Sequence, residues 1–410
     1  MRHVKHVSLS MPYPEAATPS SQSLRAASGG VHAAQDEDDS DDIRVISQQI
    51  IDKKAFIWAF GKNKDGEIGI GSQRDAFLPR PIYGQLKDGQ SARCISSGSH
   101  HTAIVSKSGE VFVCGSHLHG KLGIPSNGII HLTKFTQITL PVRAKAVACG
   151  DYHTMCLSED GRVFAWGGTL HKKTGEKDRS KGPPKNEPRL VEALADMGAR
   201  ITQIDCGDFH SVALDQYGVV YTWGGGGQSY NKGQCGHGNQ EDTELPTIVR
   251  GLQHKQVKKV AAGGFHTLAC TEDDELYAWG SGTYGELGNG DQRIETSPKL
   301  VRMPNEVFLQ PSDEDPTINV LKMGENRPKI AQISAGGHHS LVLTARGCLY
   351  SFGYGAHGQL GLRTTTNQFW PQLVKDLISK PISFIAAGWN HSLVLSRKGD
   401  IFASGYGMHG

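Results

Sequence analysis

Six times the chain sets an imidazole beside a hydroxyl in one frame, Gly-x-x-His-Ser/Thr, with histidines His101, His153, His210, His266, His339 and His391. Regularly placed imidazoles are the raw material of metal centres and of acid–base catalysis. A metal centre also needs its ligands to converge, with carboxylates behind them to orient the rings. Here the spacings are 52, 57, 56, 73 and 52 residues, one imidazole per period, with no accompanying carboxylate pattern. The six histidines are read as structural parts of a repeat, and no metal is implied.

Glycine-rich stretches raise two further chemistries. The run Gly115-Ser-His-Leu-His-Gly120-Lys121-Leu122 approaches a phosphate-binding loop, whose last position must carry a hydroxyl for magnesium; Leu122 has none. Gly280/Gly282/Gly285, Gly353/Gly355/Gly358 and Gly405/Gly407/Gly410 fit a dinucleotide fingerprint. That fingerprint needs a following helix and a distant acid, whereas these three recur at one repeat position and lead into turn-rich loops. The eight cysteines lack C-x-x-C spacing and align with small or apolar residues in sister copies, so they read as core fillers of a reducing compartment. No Ser/His/Asp, paired-carboxylate or kinase signature stands outside the repeat frame. The expectation is a non-enzyme without a cofactor.

The elements that must carry these residues follow from the repeat. Each copy continues into an apolar run such as Leu341-Val342-Leu343, a turn such as Ala345-Arg346-Gly347, and a β-branched or aromatic strand. An aromatic-Gly pair then closes the copy, as in Phe60-Gly61, Trp166-Gly167, Trp223-Gly224, Trp279-Gly280 and Phe352-Gly353, with Cys114-Gly115 and Ser404-Gly405 as variants. A loop of the form Gly-x4-Gly-x2-Gly follows. Each period thus writes a small antiparallel sheet that cannot bury both faces alone, and radial stacking of such sheets gives a β-propeller. With 51 glycines in 410 residues, a helical bundle is disfavoured.

Through Gly-x-x-His-Ser/Thr, the aromatic-Gly pair, and Gly-Glu/Gln-Leu-Gly at Gly285–Gly288 and Gly358–Gly361, the chain from Ile43 onward resembles the RCC1-repeat family. The resemblance implies an all-β, seven-bladed β-propeller over 43–410 in which each repeat histidine bonds backbone within its own blade. Six periods run from Ala55 to about Asp400 and a seventh begins at Ile401, so the last blade is expected to be incomplete and the chain to be a fragment. The stretch Ile43–Ile51 is expected to supply part of the missing blade.

Residues 1–42 hold three cations against seven acids, a net −4, and end in Asp36-Glu37-Asp38-Asp39-Ser40-Asp41-Asp42; the remaining 40 cations and 34 acids leave +6. This segment is too poor in apolar residues to offset its ordering entropy and is expected to be a disordered tail. Its first thirty residues faintly resemble an organelle transit peptide. No apolar run reaches a membrane span, and the near-neutral total gives no reason to expect a nucleic-acid partner. A soluble intracellular protein, cytoplasmic or nuclear, is expected.

The resemblance implies a non-catalytic platform that binds a protein partner. It equally admits guanine-nucleotide exchange on a Ran-like small GTPase, because Gly150-Asp151-Tyr152-His153-Thr154 matches the copy in which the family's founder carries an exchange-critical acid. Against exchange, Phe209 stands where the next copy of the founder has an acid, and the tail is acidic where the founder's is basic. A plant-type ultraviolet-B photoreceptor would need several Gly-Trp-x-His-Thr copies, and only Trp389 fits. Candidate partner-binding residues are Asp151 and Asp208, then His171, Lys172 and Lys173 in a basic insert over His171–Pro188. Asp313, Glu314 and Asp315 join them in a second insert over Met303–Arg327. Inserts that leave the blade frame intact belong on a rim.

Overall fold

The computed structural model describes residues 57–82, 85–86, 91–125, 128–168, 173–175, 186–305, 307–311, 319–324 and 326–408. Their β-branched and aromatic runs form antiparallel strands. A two-stranded sheet comes first, β1 (Trp58–Gly61) with β2 (Ala76–Pro81). Blade one holds β3 (Ala92–Ser97), β4 (His101–Ser106), β5 (Val111–Ser116) and β6 (His131–Ile138); blade two holds β7 (Ala144–Cys149), β8 (His153–Ser158), β9 (Val163–Gly167) and β10 (Arg189–Leu190). Blade three is β11 (Ile201–Cys206), β12 (His210–Asp215), β13 (Val220–Gly224) and β14 (Thr243–Ile248). Blade four is β15 (Val257–Ala262), β16 (His266–Thr271), β17 (Leu276–Gly280) and β18 (Glu295–Val301). A hairpin, β19 (Val307–Pro311) and β20 (Asn319–Met323), precedes blade five, which comprises β21 (Ile330–Ala335), β22 (His339–Thr344), β23 (Leu349–Gly353) and β24 (Gln368–Leu373). Blade six has three strands, β25 (Ile382–Ala387), β26 (His391–Ser396) and β27 (Ile401–Gly405).

Among the described residues the propeller therefore has six blades, not the seven expected from the repeat. The reason is that sheets and sequence copies are out of phase. The strand before each Gly-x-x-His is the innermost of a blade, so Ile401–Gly405 completes blade six instead of opening a seventh. Among the described residues the Trp58–Gly61 strand has only β2 beside it. β27 alternates exposed and half-buried residues, whereas its counterparts β9, β13 and β23 are buried throughout, because among the described residues no fourth strand covers it. The stretch Ile43–Ile51 and residues 1–42 lie outside the described residues.

The core lies between neighbouring sheets. Leu268, Leu276, Ala278 and Leu287 of blade four and its glycine loop pack against Ile333, Val342, Tyr350 and Phe352 of blade five. The aromatic of the aromatic-Gly pair reaches back to the preceding blade: the indole N–H of Trp166 donates to the Lys121 carbonyl (3.0 Å), that of Trp223 to Lys173 (2.7 Å), and that of Trp279 to Gln234 (2.8 Å). Each ring buries a large apolar surface while its single donor is satisfied.

The repeat histidines act across blades, which corrects the expectation that each bonds backbone within its own. His101 Nε2 lies 2.7 Å from Thr154 Oγ1 of the next blade, and His153–Ser211, His210–Thr267, His266–Ser340 and His339–Ser392 repeat the contact at 2.8–2.9 Å. The hydroxyls in turn donate to the glycine-loop carbonyls of Lys121, Lys173, Gln234, Glu286 and Gln359. A hydroxyl whose proton is committed to a carbonyl can only accept from the imidazole, so Nε2 carries the ring proton. Burial keeps two of these rings neutral: it pushes the pKa of His339 down to about 3 and that of His101 well below the usual histidine range.

Candidate protein-docking face

Inner strands run toward the Gly-x-x-His loops, and the third strands run toward the glycine loops, so both loop sets emerge on one face. We call this the loop face and the opposite one, with the tight turns after the second strands, the turn face. Three residues per module meet on the loop face: one after the motif glycine, one before the histidine, and the central residue of the glycine loop of the preceding strand.

In the glycine loop the usual residue is Glu or Gln, and it closes its own turn. Glu67, Gln234, Glu286 and Gln359 each accept the backbone N–H two residues earlier, at 2.6–3.0 Å. Lys121 and Lys173 occupy this place in two modules and cannot accept. Lys121 Nζ instead donates to the Asp151 carbonyl at 3.4 Å, and Lys173 Nζ lies over the rings of Tyr152 (4.5 Å) and Phe209 (5.1 Å). Both amines are buried, and desolvation lowers their pKa, Lys173 to about 8. The acids that oppose this shift are chiefly Asp151 for Lys121, and Asp151 and Asp208 for Lys173.

The residues after the motif glycine follow suit. They are Ser99, Asp151, Asp208, Gly264, Gly337 and Trp389, so acids stand only in the two modules whose glycine loops carry Lys. Asp151 and Asp208 are each 3% exposed and Lys173 is 1% exposed. As candidate partner-binding residues these three therefore face the interior of a charge-matched cluster, not solvent. His171, Lys172, Asp313, Glu314 and Asp315 lie outside the described residues. Lys173 of the first insert sits on the loop face, while the Cys348 thiol against the Val307 carbonyl (3.4 Å) and Arg327 against Glu275 (3.5 Å) place Val307 and Arg327 of the second insert on the turn face.

Of the residues before the histidines the sequence drew attention to Phe209 alone, although the motif marks the position of all six. They are His100, Tyr152, Phe209, Phe265, His338 and Asn390. Four of them join Trp389 in a continuous arc across five modules. Tyr152–Phe209 ring centroids lie 6.3 Å apart, Phe209–Phe265 5.7 Å, Phe265–His338 5.3 Å and His338–Trp389 5.6 Å. Tyr230 stacks on Phe209 at 4.7 Å, and Tyr284, Tyr354, His357 and Tyr406 continue outward in ring contact. Phe209 is buried; Tyr152, Phe265, His338 and Trp389 are half-buried, and Tyr230 is 49% exposed. At the end of the arc, Asp65, Glu67 and His100 bring one donor atom each within 4.8 Å of one another. His100 Nδ1 lies 2.8 Å from Asp65 Oδ2, and both acids oppose the lowering of the Lys121 pKa.

Residues 49–312 match the family described as RCC1-like domain, and 346–395, with 330–359 and 382–410, match the regulator of chromosome condensation (RCC1) repeat. Among curated proteins, the ultraviolet-B receptor UVR8 of Arabidopsis thaliana is 28% identical over 322 residues, 78% of this chain and 66% of that protein. The E3 ubiquitin-protein ligase HERC2 of Homo sapiens is 33% identical over 72% of this chain but only 5% of its own length. The mitochondrial RCC1 domain-containing protein RUG3 of Arabidopsis thaliana is 31% identical over 71% and 61%. The chain thus spans less than two thirds of the length of these relatives. Of solved structures, human WBSCR16 superposes with a TM-score of 0.70 at 22% identity, over 85% of this chain and 88% of that one. Yeast RCC1 (Prp20), solved bound to Kap60, superposes with 0.68 at 23% over 85% and 78%. The shared repeat motifs, the stacked blades and the family match over more than half its length together make this chain a member of the RCC1-like domain family.

Proposed function

We propose that the chain is a non-catalytic protein-interaction platform whose loop face docks a protein partner. The observation that carries this reading is the half-buried aromatic arc from Tyr152 to Trp389, flanked by Tyr230, Tyr284 and Tyr354. Aromatic side chains are enriched at interface centres because they offer large contact areas at low entropic cost. The buried lysine–acid cluster beneath supplies rigidity and charge balance, not a reacting group. Replacing Phe265, Tyr354 and Trp389 with serine is expected to weaken partner binding at least about a hundredfold while leaving blade packing intact, since truncated interface aromatics each cost about 2 kcal/mol or more. Isothermal titration with a captured partner reads this out, and unchanged affinity would move the docking site elsewhere.

A second reading, exchange of guanine nucleotide on a small GTPase, is favoured by Asp151 in Gly150-Asp151-Tyr152-His153-Thr154 and by its buried Oδ1, which accepts no hydrogen bond among the described residues. A panel of small GTPases loaded with labelled GDP would then include one whose release this protein accelerates, and Asp151→Asn would reduce that acceleration at unchanged melting temperature. A panel that shows no acceleration leaves the docking platform alone.

A further inference from the structure

On the turn face the six blades share one turn architecture but not one charge. Its two tip residues are Lys107-Ser108, Glu159-Asp160, Gln216-Tyr217, Glu272-Asp273, Ala345-Arg346 and Arg397-Lys398 in blade order. Since acids, amides and hydroxyls serve the same turn, the fold does not require the cations of blades five and six. Those two turns nevertheless gather Lys329, Arg346, Lys380, Arg397 and Lys398, all exposed. The backbone ties them together. Ala345 N–H donates to the Lys329 carbonyl (2.8 Å), Arg397 N–H to the Pro381 carbonyl (2.8 Å), and the Arg397 guanidinium crosses blades to the Ala345 carbonyl (3.2 Å).

Blade four shows what a balanced turn looks like. There Glu275 pairs with Lys255 (2.7 Å) and Arg327 (3.5 Å), and Asp274 pairs with Lys258 (2.5 Å). Among the described residues, Lys329, Lys380, Arg397 and Lys398 form no ion pair, and the nearby Asp400 carboxylate accepts from Ser396 Oγ (3.0 Å). Lys380 is exposed, with its Nζ 4.4 Å from the Phe402 ring centroid. Among the described residues of this surface, Lys329, Lys380, Arg397 and Lys398 thus outnumber the exposed acid Asp400, an excess of cations suited to a polyanion.

The chain carries a polyanion of its own. Six acids stand in the seven residues Asp36–Asp42, and only residues 43–56 separate them from Ile57. β1 runs from Ile57 toward the Gly61 loop, and that loop lies on the loop face because Asp65 reaches His100. Ile57 therefore lies at the turn-face end. Fourteen extended residues reach about 50 Å, more than twice the ~20 Å radius of gyration of a compact domain of this size.

We propose that Asp36–Asp42 docks in cis on the cationic turn-face patch of Lys329, Lys380, Arg397 and Lys398 and screens it from other polyanions. This holds independently of what the loop face binds. Tethering gives the segment a high effective concentration, so a free acidic peptide must displace it. The attraction is between exposed charges and fades with salt.

Zero-length carbodiimide coupling of the full chain, read by mass spectrometry, is expected to join 36–42 to Lys329, Lys380 or Lys398 at low salt and to lose these links at high salt. Coupling of 36–42 only to other lysines, or to none, would overturn the proposal. A variant with the six acids changed to Asn and Gln should bind a fluorescein-labelled polyaspartate probe at least about tenfold tighter than the parent. Adding Arg397→Glu and Lys398→Glu to it should abolish that gain. Equal probe binding by parent and neutralised variant would contradict cis docking, and so would tight binding of a labelled oligonucleotide by the parent, which would identify the patch as a nucleic-acid surface. All substitutions are on exposed positions or in the acidic segment, and matched melting temperatures exclude unfolding as the cause.

Discussion

Gly150→Ala is expected to destabilise the propeller by at least about 3 kcal/mol, the upper range for forcing atoms into a packed interior. A Cβ at Gly150 would stand 2.5 Å from the carbonyl oxygen of Gly207 in the next blade, and 2.6 Å from Cε1 of its own His153. Neither neighbour can yield cheaply. The first is backbone of the adjoining motif, and the second is held by Ser211. The same step recurs around the axis, since Gly207 meets the Gly263 carbonyl and Gly263 that of Gly336. One added methyl therefore pushes two blades apart and breaks the imidazole–hydroxyl link. Urea unfolding of parent and variant measures the change, and a loss below about 1 kcal/mol would mean that the motif glycine does not set blade spacing.

Asp151→Ala is expected to cost about 1–3 kcal/mol, the range for leaving a buried polar group uncompensated. The carboxylate is the chief opposing charge for both Lys121 and Lys173, and without it two buried amines lose their compensation. The chain supplies its own control. In the module of Gln234 the partner position is Gly264, so Lys121→Gln with Asp151→Gly reproduces a combination that already packs. The double variant should recover at least about 1.5 kcal/mol relative to the sum of the single effects. Additive losses would show that Asp151 and Lys121 are not coupled, and would return Asp151 to consideration as a group kept for a partner.

Much of this architecture was legible from residues alone. Glycine, imidazole and hydroxyl recur because the requirements of neighbouring blades meet at each motif, and that recurrence points to the propeller class and the period. The blade count was not legible in the same way, because the Gly-x-x-His motif sits in the middle of a sheet and the copy boundary gives no sign of where hydrogen bonding begins. Ile401–Gly405 looked like the start of a blade and is the third strand of one. Nor was the direction of the histidine contact legible: a residue spaced one period away in sequence becomes a neighbour only after stacking. Asp151 stood out by its motif, yet its burial depends on Lys121 and Lys173, which come from two different glycine loops. The continuity of the aromatic arc was not legible because His100, Tyr152, Phe209, Phe265, His338 and Asn390 share a position but no single residue type.

The docking account is tested most directly by quantitative affinity capture with three forms of the full chain. These are the parent, the loop-face variant with serine at Phe265, Tyr354 and Trp389, and a turn-face variant with Glu at Arg397 and Lys398. The account expects at least one protein to be retained in equal amount by the parent and the turn-face variant, lost from the loop-face variant, and bound directly when purified. Identical retention by all three forms, with the loop-face variant folded, would contradict it.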